Sequence, residues 1–235
     1  MSLARHLKSS LSLHRSSVAT CTVDCARRLT GGEIPFGQHI NTSSSFKARY
    51  NGPDVNEMNE RQREIRNKIL ATRKGTGLNG PFGPWLAIPD IAEPSQELGR
   101  ACRYGTSLSF RESELVILLT GAKTKSHTEF DIHVGEALKA GLSMEIIQAI
   151  PRDEDFSVES VETKLVPLLA NAREVAIARF VSELLCTYGV SDETYASTKQ
   201  ALDNDDRVLV ELVAISGYYT YVSYTLNVFR IPSPK

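Results

Sequence analysis

Residues 205–229, DDRVLVELVAISGYYTYVSYTLNVF, run for 25 residues without a proline and with one glycine. Residues 111–141, RESELVILLTGAKTKSHTEFDIHVGEALKAG, are longer still and also lack proline. A strand is about 5–6 residues long and is bounded closely by turn residues. Apolar-rich stretches of this length therefore select helices despite their Val and Ile content. The rest of the chain agrees. DVNEMNERQREIRNKILATRK (54–74) reads as a charged helix. Residues 90–105 read as a helix stopped by Gly105, and 172–189 as an amphipathic helix ending at Gly189. Gly141 stops the 111–141 segment, Ser143 caps SMEIIQAI, and Ser191 caps SDETYASTKQAL. Between them, 151–171 is a loop with a short helical piece. KGTGLNGPFGPWL (74–86) is too rich in Gly and Pro to be regular, and its Phe82 and Trp85 would pin it into a core or a pocket. The expected class is all-α.

An echo runs through the two long segments. ELVILLTGAKTKSHTEFDIH (114–133) and ELVAISGYYTYVSYTLNVF (211–229) both open on Glu-Leu-Val, then pass through an apolar stretch, a Gly and a polar-aromatic stretch. This suggests a duplicated helical unit. The second copy has no His, and no acid after Glu211.

Charge is uneven. Residues 1–49 hold seven Lys and Arg against two acids, leaving 20 basic and 26 acidic residues, net −6, in 50–235. The leader MSLARHLKSSLSLHRSSVATCTVDCARRLTGG has no acid before Asp24, and Leu3, Leu7 and Leu11 recur every four residues. That composition fits a mitochondrial transit peptide; a disordered basic tail and a misplaced start fit it too. The expected location is accordingly the mitochondrial matrix or the cytoplasm. Residues 31–52 read as linker, and 50–235 as a single domain. A mildly acidic body gives no field that would attract nucleic acid, and no apolar run reaches the ~20 residues of a membrane span.

Four cysteines are present, Cys21 and Cys25 in the leader and Cys102 and Cys186 in the body, with no C-x-x-C pair. Cys102 and Cys186 read as small buried apolar residues. The body holds two histidines, His127 and His133. Glu129 and His133 are i and i+4, so on a helix they share a face, and Ser126, three residues before Glu129, joins them. Taken alone this reads better as the polar stripe of an ordinary helix. His127 is about 120° away from His133 at 100° per residue and belongs beside the pocket or at the helix start. The set His127, Glu129, His133 contains a known ligand combination for a metal, but the i, i+6 spacing is poor for one ion. Lys125 and Lys139 read as solvated surface charges. Trp85, Tyr104, Tyr218 and Tyr219 fit either a pocket lining or plain core packing.

Several blocks, in order, resemble one family. Glu114-Leu-Val-Ile-Leu, Glu129-Phe-x-x-His133 and Glu136-Ala-x-x-Ala-Gly-Leu-Ser are similar to the core of the carboxymuconolactone decarboxylase family, in the alkylhydroperoxidase D-like (AhpD-like) superfamily, with Phe130 in place of the usual Trp. Asn79-Gly-Pro-Phe82, Arg103-Tyr-Gly-Thr-Ser, Gly217-Tyr-Tyr and Thr225-Leu-Asn-Val-Phe-Arg-Ile-Pro extend the likeness over most of 78–233. The resemblance implies an AhpD-like helical bundle assembled as a homotrimer or homohexamer, and one-sided apolar helices together with apolar segments such as 209–229 agree with a shared interface. The superfamily's peroxidases use a Glu and a C-x-x-C-x-x-x-H motif. By position Glu114 matches the Glu, Ser126 and Glu129 replace both Cys, and His133 matches the His. Without a thiolate, thiol peroxidase chemistry is not expected. The implied reaction is instead a decarboxylation of a small lactone or organic acid that needs no cofactor and no metal. His133 would donate the proton, with Glu129 or Glu114 orienting it. Arg103 or Arg111 would hold an anionic group. Tyr104, Trp85, His127, Ser126 and Tyr218 would contact substrate. A binding or scaffold protein that kept the fold and lost the chemistry is the alternative.

Overall fold

The computed structural model describes residues 47–72, 78 and 80–233. The leader, with Cys21 and Cys25 and the transit-peptide expectation, lies outside the described residues. So do residues 73–77 and Asn79 of the Gly/Pro-rich loop.

Among the described residues the structure is helical throughout: α1 (Glu60–Thr72), α2 (Phe82–Trp85), α3 (Pro89–Tyr104), α4 (Phe110–Lys123), α5 (His127–Lys139), α6 (Met144–Ala149), α7 (Val158–Ser160), α8 (Ala172–Thr187), α9 (Asp192–Ala201) and α10 (Asp206–Phe229). A π-helical turn (Val161–Leu165) and a 3₁₀ turn (Val166–Leu168) come after α7. The all-α expectation holds.

Helix α4 is the axis of the fold. Every residue from Glu112 to Ala122 is buried, and α5, α8 and α10 pack around it. Its start is fixed by a capping box: the Ser109 hydroxyl accepts from the Glu112 amide while the Glu112 carboxylate accepts from the Ser109 amide. A helix buried on all sides must satisfy its own polar atoms, and the Thr120 hydroxyl donates to the Val116 carbonyl at 2.8 Å.

The 111–141 segment breaks into two helices at Thr124–Ser126. Lys125 takes φ +54°, and the Ser126 amide returns to the Gly121 carbonyl at 2.9 Å. Gly121 lets α5 start hard against α4, since a Cβ there would lie 3.3 Å from the Phe130 nitrogen. α5 ends as expected at Gly141, at φ +93°. The Leu142 amide reaches back to Ala137 and the Gly141 amide to Leu138, the paired bonds of a Schellman turn.

Four expectations need correction. Helix α1 starts at Glu60 rather than 54, where Asn59 and Gln62 exchange side-chain-to-amide bonds at 2.9 Å. The Gly/Pro-rich loop contains one helical turn, α2, whose Phe82 and Trp85 are buried. The left-handed residue after α8 is Tyr188 (φ +63°), not Gly189. The sequence echo also fails to repeat in structure: its first copy is helix, turn and helix, its second one unbroken stretch of α10.

The expected linker is tied down at its end. The Arg49 amide donates to the Phe229 carbonyl at 2.8 Å, and Tyr50 packs on the Phe229 ring. After α10 the chain turns along α5, where the Thr128 hydroxyl donates to Ile231 and Ser233 meets Asp131.

Candidate active site

Three helices bring four ionisable side chains together: Arg103 from α3, Glu114 from α4, and Glu129 and His133 from α5. Tyr219 from α10 lies alongside. Glu114, Glu129 and His133 are all buried. His133 Nδ1 lies 2.7 Å from Glu114 Oε2, and its Nε2 lies 3.1 Å from Glu129 Oε1. A neutral imidazole has one N–H and can donate to one carboxylate only. With carboxylates on both ring nitrogens, the group must hold an extra proton. Burial disfavours the charged ring, but the hydrogen bonds to Glu114 and Glu129 outweigh it and raise the His133 pKa to about 9.

Glu114 is the hinge of the cluster. Its Oε1 accepts from Arg103 Nη1 at 3.1 Å while its Oε2 faces His133. That shared carboxylate keeps two cationic groups together, Arg103 Nη1 and His133 Nδ1 being 3.3 Å apart. Arg103, its side chain 13% exposed, also reaches Glu136 Oε2 at 3.3 Å and hydrogen-bonds Tyr219. Arg103, Glu114, Glu129 and protonated His133 sum to zero charge, which makes the burial of four ionisable groups tolerable. The Tyr219 ring meets the His133 ring edge to face, centroids 5.2 Å apart. Burial pushes the Tyr219 phenol far up, so it stays a neutral hydroxyl.

No protein-family model matches the chain, and no curated protein does. Solved structures do. A peroxidase-related protein from Ralstonia eutropha JMP134, with an alkylhydroperoxidase AhpD core, superposes with a TM-score of 0.63 at 14% identity, covering 80% of this chain and 93% of that one. A protein of unknown function from Agrobacterium tumefaciens, related by description to the antioxidant defence protein AhpD, gives 0.54 at 18% identity, covering 67% and 99%. This is an AhpD-like fold.

Within the AhpD-like bundle the expected triad assembles: Glu114, Glu129 and His133 meet as one unit, and Arg103 joins them. Ser126 lies on the same stripe of α5, fully buried, at the position before the first helical residue. Its hydroxyl has no hydrogen-bond partner.

Other expected residues lie elsewhere. Arg111 is committed to a clamp between α4 and α8. Its Nε donates to Glu174 Oε1 at 2.7 Å and its Nη1 to the Gly141 carbonyl. The neighbouring Arg173 and Glu112 form the reciprocal pair at 2.8 Å. His127 is 65% exposed and faces Asp153 at 3.4 Å. It does not converge with His133, as its angular offset on the helix requires. Tyr218 and Trp85 take the packing role: Tyr218 contacts Trp85 and Tyr219 edge to face, and Trp85 stacks on Tyr221 and donates to Thr225 at 3.0 Å. Tyr104 is at the rim, exposed, under the Arg103 guanidinium. Lys139 pairs with Glu136 at 2.7 Å, and Lys125 with Glu154.

Two residues gain weight from the structure. Tyr219, not Tyr218, touches the histidine; α10 is apolar on every side, so its pattern does not say which tyrosine faces inward. Glu136 completes a stripe that was readable, since Ser126, Glu129, His133 and Glu136 are spaced 3, 4 and 3 along α5. The free cysteines among the described residues are Cys102, buried, and Cys186, half-buried. Burial pushes the Cys102 thiol up, away from the thiolate form.

Proposed function

We propose that this chain is an acid–base enzyme of a small organic acid or lactone, working without a thiol, a metal or an organic cofactor, in the manner of the carboxymuconolactone decarboxylases. The observation that carries the reading is the pair of carboxylates on the two ring nitrogens of buried His133. The unit stores one proton beside an arginine and a neutral phenol.

In a decarboxylation of this class the C–C bond to the departing carboxylate breaks, and its electron pair moves into a conjugated carbonyl as a dienolate. CO₂ leaves. The stored proton passes from the His133–Glu129 unit to carbon, and solvent restores it. Proton transfer of this kind contributes about 10²–10⁴-fold. Tyr219 is suited to donate to the enolate oxygen. Arg103 suits a second anionic or carbonyl group of the substrate, because a cation holding the departing carboxylate would stabilise the ground state and slow CO₂ loss. Ser126 and Glu129 stand where a peroxidase of this fold needs thiols, so dithiol-coupled peroxide reduction is not part of the reading.

The test is CO₂ release and deuterium incorporation from D₂O with candidate lactone acids, comparing wild type with His133→Ala and Glu129→Gln. Each variant should lose about 100-fold or more in turnover, and the double variant little beyond the worse single one. Wild-type turnover in His133→Ala would end the catalytic reading. One observation favours the alternative, a binding or scaffold protein: the His133 cluster is buried, whereas two hollows of about 290 and 240 Å³ lie elsewhere, beside Asn51 and Ile231 and between α8 and α9. That reading expects no turnover in any variant.

A further inference from the structure

The polar stripe on α5 has a direction. Ser126, Glu129 and His133 are buried, whereas the Glu136 side chain, one turn further along, is 41% exposed. The other cluster member that reaches solvent is Arg103, whose guanidinium lies over the ring of exposed Tyr104. The exposed end of the cluster is thus the Arg103–Glu136 pair.

That pair is built to part. At 3.3 Å it is among the longer ion pairs of the described residues, while Arg103 is held independently by Glu114 at 3.1 Å. Glu136 has a second cation within reach, since Lys139 Nζ sits 2.7 Å from its other oxygen, and Lys139 is 75% exposed. Release of Glu136 onto Lys139 leaves no carboxylate without a partner. It leaves the Nη2 donors of half-buried Arg103 without their carboxylate, on a guanidinium whose planar N–H groups suit a carboxylate.

We propose that the Glu136 carboxylate is a resident stand-in for a substrate carboxylate on Arg103, and that ligand binding is an exchange of one carboxylate for another, with Lys139 receiving Glu136. The ligand class is then a small acid carrying a carboxylate that is not lost in the reaction. This deepens the acid–base reading and rests on it for the nature of the substrate, but the exchange itself is a binding event.

Malonate binding to the full chain, measured by calorimetry at constant pH and ionic strength, tests it without turnover. Glu136→Gln removes the competitor and should tighten malonate by about five- to tenfold, the lower range of coupling between interacting groups. Lys139→Met strands Glu136 on Arg103 and should weaken binding. In the Glu136→Gln background Lys139→Met should change nothing, because Lys139 acts only through Glu136. Unchanged or weaker binding in Glu136→Gln overturns the proposal. So do additive effects in the double variant, which would mean a general field of surface charge, and so does absence of malonate binding in both wild type and Glu136→Gln. Loss of the decarboxylase reading with these affinity changes intact would leave the exchange standing.

Discussion

The buried cluster of Glu114, Glu129 and His133 holds one proton among three side chains, and it makes the fold pH-sensitive. The His133 pKa, about 9 in the folded chain, lies above the value of about 6.5 expected unfolded. A group raised on folding stabilises fully below its unfolded pKa, and that contribution disappears as pH rises through its folded pKa. Stability should thus be highest near pH 6 and fall between pH 6.5 and about 9, by roughly 3 kcal/mol. Melting curves from pH 6 to 9.5 check this, and His133→Gln should be less stable at pH 6 but flat across the window. An equally steep fall in His133→Gln would show that the proton is held elsewhere. Ser126 offers a contrasting case. Ser126-His-Thr-Glu129 has the spacing of a capping box, yet Glu129 has turned to His133 and the Ser126 hydroxyl is left buried without a partner. An N-cap serine normally contributes about 1 kcal/mol. Here Ser126→Ala should leave the melting temperature unchanged or raise it, since it removes an unsatisfied buried polar group. A clear drop would mean that the hydroxyl caps α5 after all.

At the scale of the elements, the sequence made legible whatever local chemistry decides alone. Gly141 had to stop α5, and Ser143 and Ser191 had to cap α6 and α9. Glu129 and His133 had to share a face if α5 was a helix. Features set by neighbouring elements were not legible. The left-handed turn after α8 fell on Tyr188 although Gly189 was the better residue for it, because the helix ends where its packing ends. Arg111 looked as free as Arg103 to hold a ligand, and only the approach of α8 shows that it faces Glu174. The two reciprocal pairs, Arg111–Glu174 and Arg173–Glu112, join the first turns of α4 and α8. Glu174 is buried, so losing Arg111 leaves its carboxylate without a cation, held by the Asn171 amide alone among side chains. Arg111→Ala should cost about 2 kcal/mol, and Arg111→Ala/Glu174→Leu should recover part of that loss, because a well-packed apolar residue replaces a buried charge at little cost. Malonate affinity in Arg111→Ala, measured below its melting transition, should match wild type; a tenfold loss would return Arg111 to the binding site.

For the whole molecule the element that stands out is α10. It is apolar on every side and carries no charged residue from Leu212 to Phe229. A helix of that kind is normally covered all round. Its inner face is, by α3, α4, α5, α8 and α9. Its outer face presents Val210, Val213, Tyr221, Tyr224 and Val228, all exposed. With Gly217 these positions fall within about 80° of one another at 100° per residue, a stripe about 27 Å long. Around Gly217 an added Cβ would meet nothing, so a second surface could approach the backbone there. The stripe alone is narrower than the roughly 800 Å² per partner of a stable interface, but α3, which packs on α10, adds exposed Ile91 and Leu98, with Ile88 just before it. An uncharged stripe of this shape complements a copy of itself better than it does a charged partner. The prediction is a homo-oligomer, a trimer or a hexamer, whose contact includes α10. Light scattering at micromolar concentration should give three or six times the 25.9 kDa chain mass. Val213→Glu and Tyr224→Glu should each shift it toward the monomer, while Lys199→Glu on α9, which is off the stripe, should not. Because Tyr219 reaches His133 from the same helix, dissociation should also weaken malonate binding if the outer contact steadies α10. A monomer mass for the wild type would remove the interface.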